Sequence, residues 1–309
     1  MKVIVTGGCG FVGSHLVDQL VRNSELERVL VIDDMRLGNE HNIAHHKKDI
    51  DLWSMSVQDA FTGQQGTLNA FDADVVYNLA VDPLPKSLIY PWEVWENNVD
   101  ITKRVARFCG DYEIRMVHFS SSEVYGTVPT GRITEHNVMN PLTMYAASKA
   151  ACDHIISALV ETENLDAVTI RPFNCIGPRQ NEKSYAGIIP MTINRIKKGR
   201  RPMIYGTGQQ TRDYTYVTDI AKAATLVAAR GDAGEVYNAC SGEETRIDWL
   251  VNEISFNMNY TGKVDYGIDR VGDVMRHQGD NTKIRELGWE PTVGIREAVK
   301  RTVEWYNVV

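Results

Sequence analysis

The chain has little that would tie it to an oxidising compartment, a membrane or a nucleic acid. Its five cysteines, Cys9, Cys109, Cys152, Cys175 and Cys240, are scattered, odd in number and without a C-x-x-C pair. That argues against a disulfide framework and for unpaired thiols in a reducing cytoplasm. No apolar run approaches the ~20 residues of a membrane span, and Met1 leads straight into a strand-like segment, so neither a span nor a signal peptide is expected. Acidic residues outnumber basic ones by 40 to 33, for a formal charge of -7, and no basic run occurs; a nucleic-acid partner is not expected. Internal repeats and low-complexity tracts are absent. His41, His45 and His46 lie close together, but no neighbouring carboxylate or cysteine set completes them, so a polar loop is expected there and no metal. The sequon Asn259-Tyr260-Thr261 is a chance occurrence in such a chain.

What is there begins at the first strand. Lys2 to Thr6 is an apolar, β-branched run with the length of a buried strand. It runs into glycines at 7, 10 and 13, followed by a helical stretch from Phe11 to Arg22. Gly7 allows a tight turn, Gly10 lets backbone N–H groups approach a pyrophosphate at the helix start, and Gly13 permits close helix–strand packing. A second strand, Arg28 to Ile32, ends in Asp33, placed to accept hydrogen bonds from ribose hydroxyls. Strand, glycines, helix, strand and acid in this order predict dinucleotide binding. Asp33 would repel a ribose 2′-phosphate, favouring NAD over NADP, although Arg36 is close enough to meet such a phosphate.

Strand-like and helical runs then alternate: strands at 74–79, 116–121 and 167–173, helices at 92–109 and 145–163. The alternation predicts a parallel sheet with helices on both faces, whose ligands bind beyond the carboxyl ends of the strands. At 309 residues the chain can form one large domain or two closely joined ones. Tyr145-Ala-Ala-Ser-Lys149 places Lys149 one helical turn from Tyr145. A tyrosine can take and return a carbinol proton near neutral pH when a cation stabilises its phenolate, and a serine from a separate strand end can hold the same oxygen. The run Ser120-Ser121-Ser122-Glu123-Val124-Tyr125-Gly126 supplies that serine.

These motifs, together with Asn78-Leu79-Ala80, Arg171-Pro172-Phe173-Asn174-Cys175-Ile176-Gly177-Pro178-Arg179, the segment Tyr205 to Tyr214, Gly272-Asp273-Val274-Met275-Arg276 and Leu287-Gly288-Trp289-Glu290-Pro291, resemble the extended short-chain dehydrogenase/reductase family nearly end to end, in its nucleotide-sugar epimerase and dehydratase branch. The resemblance implies an α/β fold: a Rossmann-type, doubly wound parallel sheet with a smaller, discontinuous C-terminal substrate domain. Residues 1–175 and 212–240 would form the NAD domain, and 176–211 and 241–309 the nucleotide-sugar domain, with helices at 188–198, 247–257 and 295–306. It further implies NAD contacts from Gly7, Gly10, Phe11, Val12, Gly13, Asp33, Asp49, Leu79, Ala80, Tyr145, Lys149 and Pro172. Tyr145 would take the proton of the sugar C4 hydroxyl as hydride passes to NAD, Lys149 would lower the pKa of Tyr145, and Ser121 would hold the C4 oxygen. Lys86, Ser121, Asn174, Arg212 and Arg276 would contact the nucleoside diphosphate sugar. Asp213 and Asp273, beside the arginines, could instead pair with them.

The resulting 4-keto sugar can be reduced on its other face, giving a 4-epimerase, or lose water after C5 deprotonation, giving a 4,6-dehydratase. Glu123 stands where dehydratase and decarboxylase relatives carry a glutamate, and Ser122 where many dehydratases carry an acidic aspartate. A uronate decarboxylase and a non-catalytic NAD-binding sensor are the alternatives. A homodimer through a four-helix bundle, built from the helices near 96–109 and 145–163, is also implied.

Overall fold

The computed structural model describes residues 1–63, 65–182, 186–269 and 273–308; Gly272 of the late glycine motif lies outside them. Six parallel strands come first: β1 (Lys2–Thr6), β2 (Arg28–Ile32), β3 (Ile50–Trp53), β4 (Val75–Asn78), β5 (Arg115–Phe119) and β6 (Ala167–Pro172). Four short strands follow, β7 (Asn174–Ile176), β8 (Met203–Tyr205), β9 (Thr211–Arg212) and β10 (Tyr214–Tyr216), then β11 (Val236–Ala239), β12 (Thr245–Arg246) and β13 (Asp265–Gly267). The helices are α1 (Phe11–Val21), α2 (Val57–Gly63), α3 (Gln65–Phe71), α4 (Leu84–Ser87), α5 (Pro91–Asp111), α6 (Met144–Glu163), α7 (Ile188–Lys197), α8 (Val217–Arg230), α9 (Ile247–Asn257), α10 (Thr282–Glu286) and α11 (Ile295–Val308).

The large sheet has the order β11-β6-β5-β4-β1-β2-β3, with every neighbouring pair parallel. The chain winds outward from β1 to β3, then returns to place β4 on the other side of β1, so a crevice opens between the ends of β1 and β4. Side chains along a strand alternate faces. Val3, Val5, Val29 and Val31 accordingly pack with Leu16, Val17 and Leu20 of α1 and Ile220 and Val227 of α8. Ile4, Leu30, Ile32 and Val76 turn to the other face, against Phe61, Ile101, Val105, Phe108 and Ile156. Both faces are thus dry, as a parallel sheet requires.

A third apolar cluster joins Ile176, Ile189, Ile193, Ile204, Tyr214 and Tyr216 to Leu250, Val251, Ile254, Val299 and Val303, around the small pairs β10–β7, β12–β9 and β13–β8. The sequence had no signal for β3, whose Ile-Asp-Leu-Trp alternates with an exposed aspartate, nor for strands of two or three residues. The strand expected at 116–121 stops at Phe119, which frees Ser120 and Ser121 to face the crevice.

Candidate active site

A cavity of about 390 Å³ lies at the carboxyl edge of the sheet, over the crevice between β1 and β4. Gly7, Gly10, Phe11, Val12 and Gly13 form one wall, and Asp33, Leu79, Ala80, Ser121, Tyr145, Lys149 and Pro172 line the rest with neighbours from other loops. Gly7 has φ +68, and a Cβ there would stand 2.9 Å from the Ala80 nitrogen; a Cβ on Gly13 would overlap the Gly7 carbonyl oxygen. The backbone therefore approaches the cavity as only glycine allows. The unpaired N–H groups that open α1 point where an anionic pyrophosphate would sit.

Asp33 accepts hydrogen bonds from Cys9 N–H and Met35 N–H, both at 2.9 Å. Burial pushes its carboxyl up, and the two backbone donors pull it back. Arg36 is held by Asp34, with Nε 2.6 Å from Oδ2. These features fit NAD: a glycine cradle for the diphosphate and a carboxylate for the adenosine ribose.

Asp49 does not join this group. It precedes β3, at the amino edge of the sheet, and the cavity lies at the opposite edge. Four residues of strand separate it from that edge, roughly 13 Å at 3.3 Å per residue. Asp49 is half-exposed instead, with Oδ2 3.8 Å from His46 Nδ1. The elements that do reach the cavity on this side are Val57 and Gln58 of α2 and Asn97 and Ile101 of α5.

At the other end of the cavity Ser121 caps a short 3₁₀ turn, Ser122–Tyr125, its hydroxyl accepting from Glu123 N–H. Ser121 and Tyr145 line this end of the cavity together. Burial pushes the Tyr145 phenol up, the neighbouring Ser121 hydroxyl opposes the shift, and Glu123 adds to it. Lys149 follows one turn later on α6, is 4% exposed and donates to Phe119 O at 2.7 Å. Burial lowers its pKa, against the pull of Cys152 and Asp153. Glu123 is half-buried; burial raises its carboxyl, Arg212 lowers it and Asp273 raises it.

Lys86, Asn174, Arg212 and Arg276 do not line the 390 Å³ cavity. Lys86 is buried and engaged by Asp82, 3.0 Å away, and by Glu93. Arg212 donates to the carbonyls of Thr211 and Val274 and pairs with Asp273. Arg276 reaches Val128 O, Gly131 O, Gln278 and Glu244. Asn174 opens β7 opposite Tyr214 of β10, and its backbone N–H donates to the Asp213 carbonyl at 3.0 Å. Among the described residues Asp213 pairs with no arginine; it accepts from Ser241 N–H and hydroxyl and from Gly242 and Gly279 N–H.

Sequence reasoning passed over His277. It is fully buried, its ring 5.2 Å from that of Phe173. Burial drives its pKa down to about 3, so it is neutral beneath the serine turn. The only signal was its place beside Arg276. Gln180 and Asn181, which follow Arg179, also line the cavity.

A family model described as GDP-mannose 4,6 dehydratase matches residues 4–302. The chain is 31% identical over 306 residues or more to curated epimerases; one is the UDP-glucose 4-epimerase of Mycolicibacterium smegmatis, with 99% of each chain covered. Among solved structures, a UDP-N-acetylglucosamine 4-epimerase from Methanobrevibacter ruminantium, in complex with UDP-N-acetylmuramic acid, is 32% identical with a TM-score of 0.91, covering 99% of this chain and 98% of that one. A dTDP-glucose 4,6-dehydratase from Streptomyces venezuelae with NAD bound is 30% identical with a TM-score of 0.93, covering 100% and 97%.

Proposed function

The chain belongs to the GDP-mannose 4,6-dehydratase family, NAD-dependent enzymes of the extended short-chain dehydrogenase/reductase fold, and on that premise we propose that it oxidises the C4 hydroxyl of a nucleoside diphosphate sugar and then removes water across C5 and C6. The observation that carries this reading is the convergence of Ser121, Tyr145 and Lys149 on one end of the cavity, with Glu123 two residues beyond Ser121.

NAD in this cavity supplies the hydride acceptor and, later, the hydride donor. Tyr145 takes the C4 hydroxyl proton. Burial alone makes its phenolate costly, so Lys149 on the same helix face and the Ser121 hydroxyl are needed to stabilise the charge that develops. Ser121 holds the oxygen as it becomes a ketone. Ketone formation acidifies the C5 proton, and Glu123, its carboxyl raised by burial, suits the role of general base. Arg212, Asn174 and Arg276 are proposed for the diphosphate, Arg212 and Arg276 exchanging some of their present carbonyl and carboxylate partners for phosphate oxygens.

A 4-epimerase is the second reading, and Ser122 favours it. That residue is 2% exposed and carries no acidic proton for the leaving C6 hydroxyl. Incubation with a panel of UDP-, dTDP-, GDP- and CDP-sugars, read by mass spectrometry and proton NMR, separates the readings. Loss of water with solvent deuterium at C5 supports dehydration. Unchanged mass with an altered C4 coupling moves the chain to the epimerases, and loss of carbon dioxide from a uronic acid to the decarboxylases. Absence of any product, with NAD still bound, would return it to a sensor.

The division into residues 1–175 with 212–240 and 176–211 with 241–309 is supported by the separate apolar cluster around Ile193, Leu250 and Val299. We place the protein in the cytoplasm on its five free thiols; among the described residues no helix is long and apolar enough to cross a membrane. A homodimer through α5 and α6, which pack side by side on one face of the sheet, is proposed; sedimentation showing only monomer at micromolar concentration would refute it.

A further inference from the structure

We propose that Asp18, His45 and His46 form a binding site for a divalent ion of the zinc class, which would pin the loop after β2 onto α1. Their ligand atoms lie within 4.8 Å of one another. His45 Nε2 and His46 Nε2 both point at the same carboxylate oxygen, Asp18 Oδ1, at 2.8 and 2.9 Å. Two imidazole nitrogens and one carboxylate oxygen are the donor set that zinc accepts at sites retaining a water.

With metal–ligand bonds of about 2.0–2.2 Å, tetrahedral donors stand roughly 3.3 Å from one another. Each histidine nitrogen therefore needs to move only about 0.5 Å further from the carboxylate oxygen. His45, 49% exposed, has room to make that movement, while Asp18 and His46 are held at 12% and 13% exposure.

The surroundings resemble the outer layer of a metal site. Asp49 lies 3.8 Å from His46 Nδ1, on the side of the ring facing away from Asp18. A ligating imidazole usually has a carboxylate or carbonyl in that position. Arg179 holds the second oxygen, with Nη2 2.9 Å from Asp18 Oδ2, fixing the carboxylate so that Oδ1 faces the histidines. The guanidinium charge reduces the pull on a cation, so micromolar rather than nanomolar affinity is expected.

The placement gives the ion a consequence. The histidine loop is already tied to the glycine turn, because Asn39 N–H and the Asn42 side chain both donate to Cys9 O, at 3.0 and 2.9 Å. Asp18 is on the helix that the glycine turn opens. A bound ion would close the third side of this frame and stiffen the adenosine side of the cavity.

The test uses untagged full-length protein, stripped with a chelator, dialysed, and titrated with Co²⁺ by visible absorbance, with Zn²⁺ then added in competition. A single saturable Co²⁺ equivalent per chain, displaced by Zn²⁺, is expected. In His45→Ala and in His45→Ala/His46→Ala, with folding checked by circular dichroism, affinity should fall by at least about 100-fold, the upper end of what loss of an outer-shell partner alone produces. No saturable binding to the parent protein, or equal affinity in the variants, would overturn the proposal and leave the cluster a hydrogen-bonded clasp around Asp18.

Discussion

Replacing Arg171 by methionine tests the buried charge network beneath the reacting groups. Arg171 is 2% exposed near the end of β6; its Nε lies 2.9 Å from Asp153 Oδ2 and its Nη1 donates to the Tyr125 hydroxyl at 2.7 Å. Asp153, four residues beyond Lys149 on α6, is itself almost wholly buried, with His118 Nε2 3.6 Å from its other oxygen. Breaking such a pair from one side leaves an uncompensated charge in the core, worth about 3–5 kcal/mol. The lost bond to Tyr125 adds about 1 kcal/mol. Methionine fills most of the volume, so the cavity contribution is small, and the expected loss is about 4–6 kcal/mol in urea unfolding at pH 7.5 followed by circular dichroism.

A double variant, Arg171→Met with Asp153→Leu, removes both charges and should recover most of that loss. The pH dependence has a definite sign. In the parent, burial opposes the Asp153 charge, but His118 and Arg171 outweigh it and hold the carboxyl below its usual range. Its contribution is therefore present above the unfolded pKa near 3.9 and disappears as pH falls through the folded value. In Arg171→Met the guanidinium's share of that lowering is lost and the folded pKa rises, while His118 still opposes burial. As the solution is acidified, that variant should therefore lose less stability through this group than the parent does. A loss under about 1 kcal/mol, or a double variant as unstable as the single one, would show that the pair does not act as a buried ion pair.

Tyr145→Phe should lower turnover by about 10²–10⁴-fold while NAD affinity, measured by calorimetry, stays within about twofold; full activity would sink the proposed proton transfer. Gly13→Ala places a methyl group against the Gly7 carbonyl oxygen and should weaken NAD binding by at least about tenfold, since the turn must open to admit it; unchanged affinity would mean the glycine turn does not hold the diphosphate. Glu123→Gln should abolish solvent deuterium uptake at C5 yet leave sugar-dependent reduction of NAD, read by absorbance, within about threefold, because only the C5 step needs a base there. Undiminished deuterium uptake would free Glu123 from that role.

The parts of the site that sequence alone foretold share one property: their chemistry is encoded over short spans of chain. Glycines three apart followed by a helix, and a lysine four residues beyond a tyrosine, hold their relative positions whatever surrounds them. Asp33 belongs to the same kind, because the strand before it is apolar and unambiguous. Asp49 was misplaced because β3 could not be seen: two of its four residues carry the alternation, and an aspartate sits within it. Without the strand, nothing said which edge of the sheet Asp49 would occupy.

Lys86 shows a different limit. The family resemblance implied that it contacts the substrate, but Glu93 lies across the turn between α4 and α5, and two carboxylates meet the ammonium group. For Arg212, pairing with Asp273 was a foreseeable alternative, 61 residues along the chain; Asp213, its sequence neighbour, is consumed by backbone donors. The partner of a buried charge is chosen by the fold because an unpaired charge there is costly. Sequence order ranks candidates by proximity along the chain, and burial selects among them by proximity in space. The same selection brought Asp18 to two histidines 27 and 28 residues away, ahead of Asp49, which is only three residues from His46 along the chain.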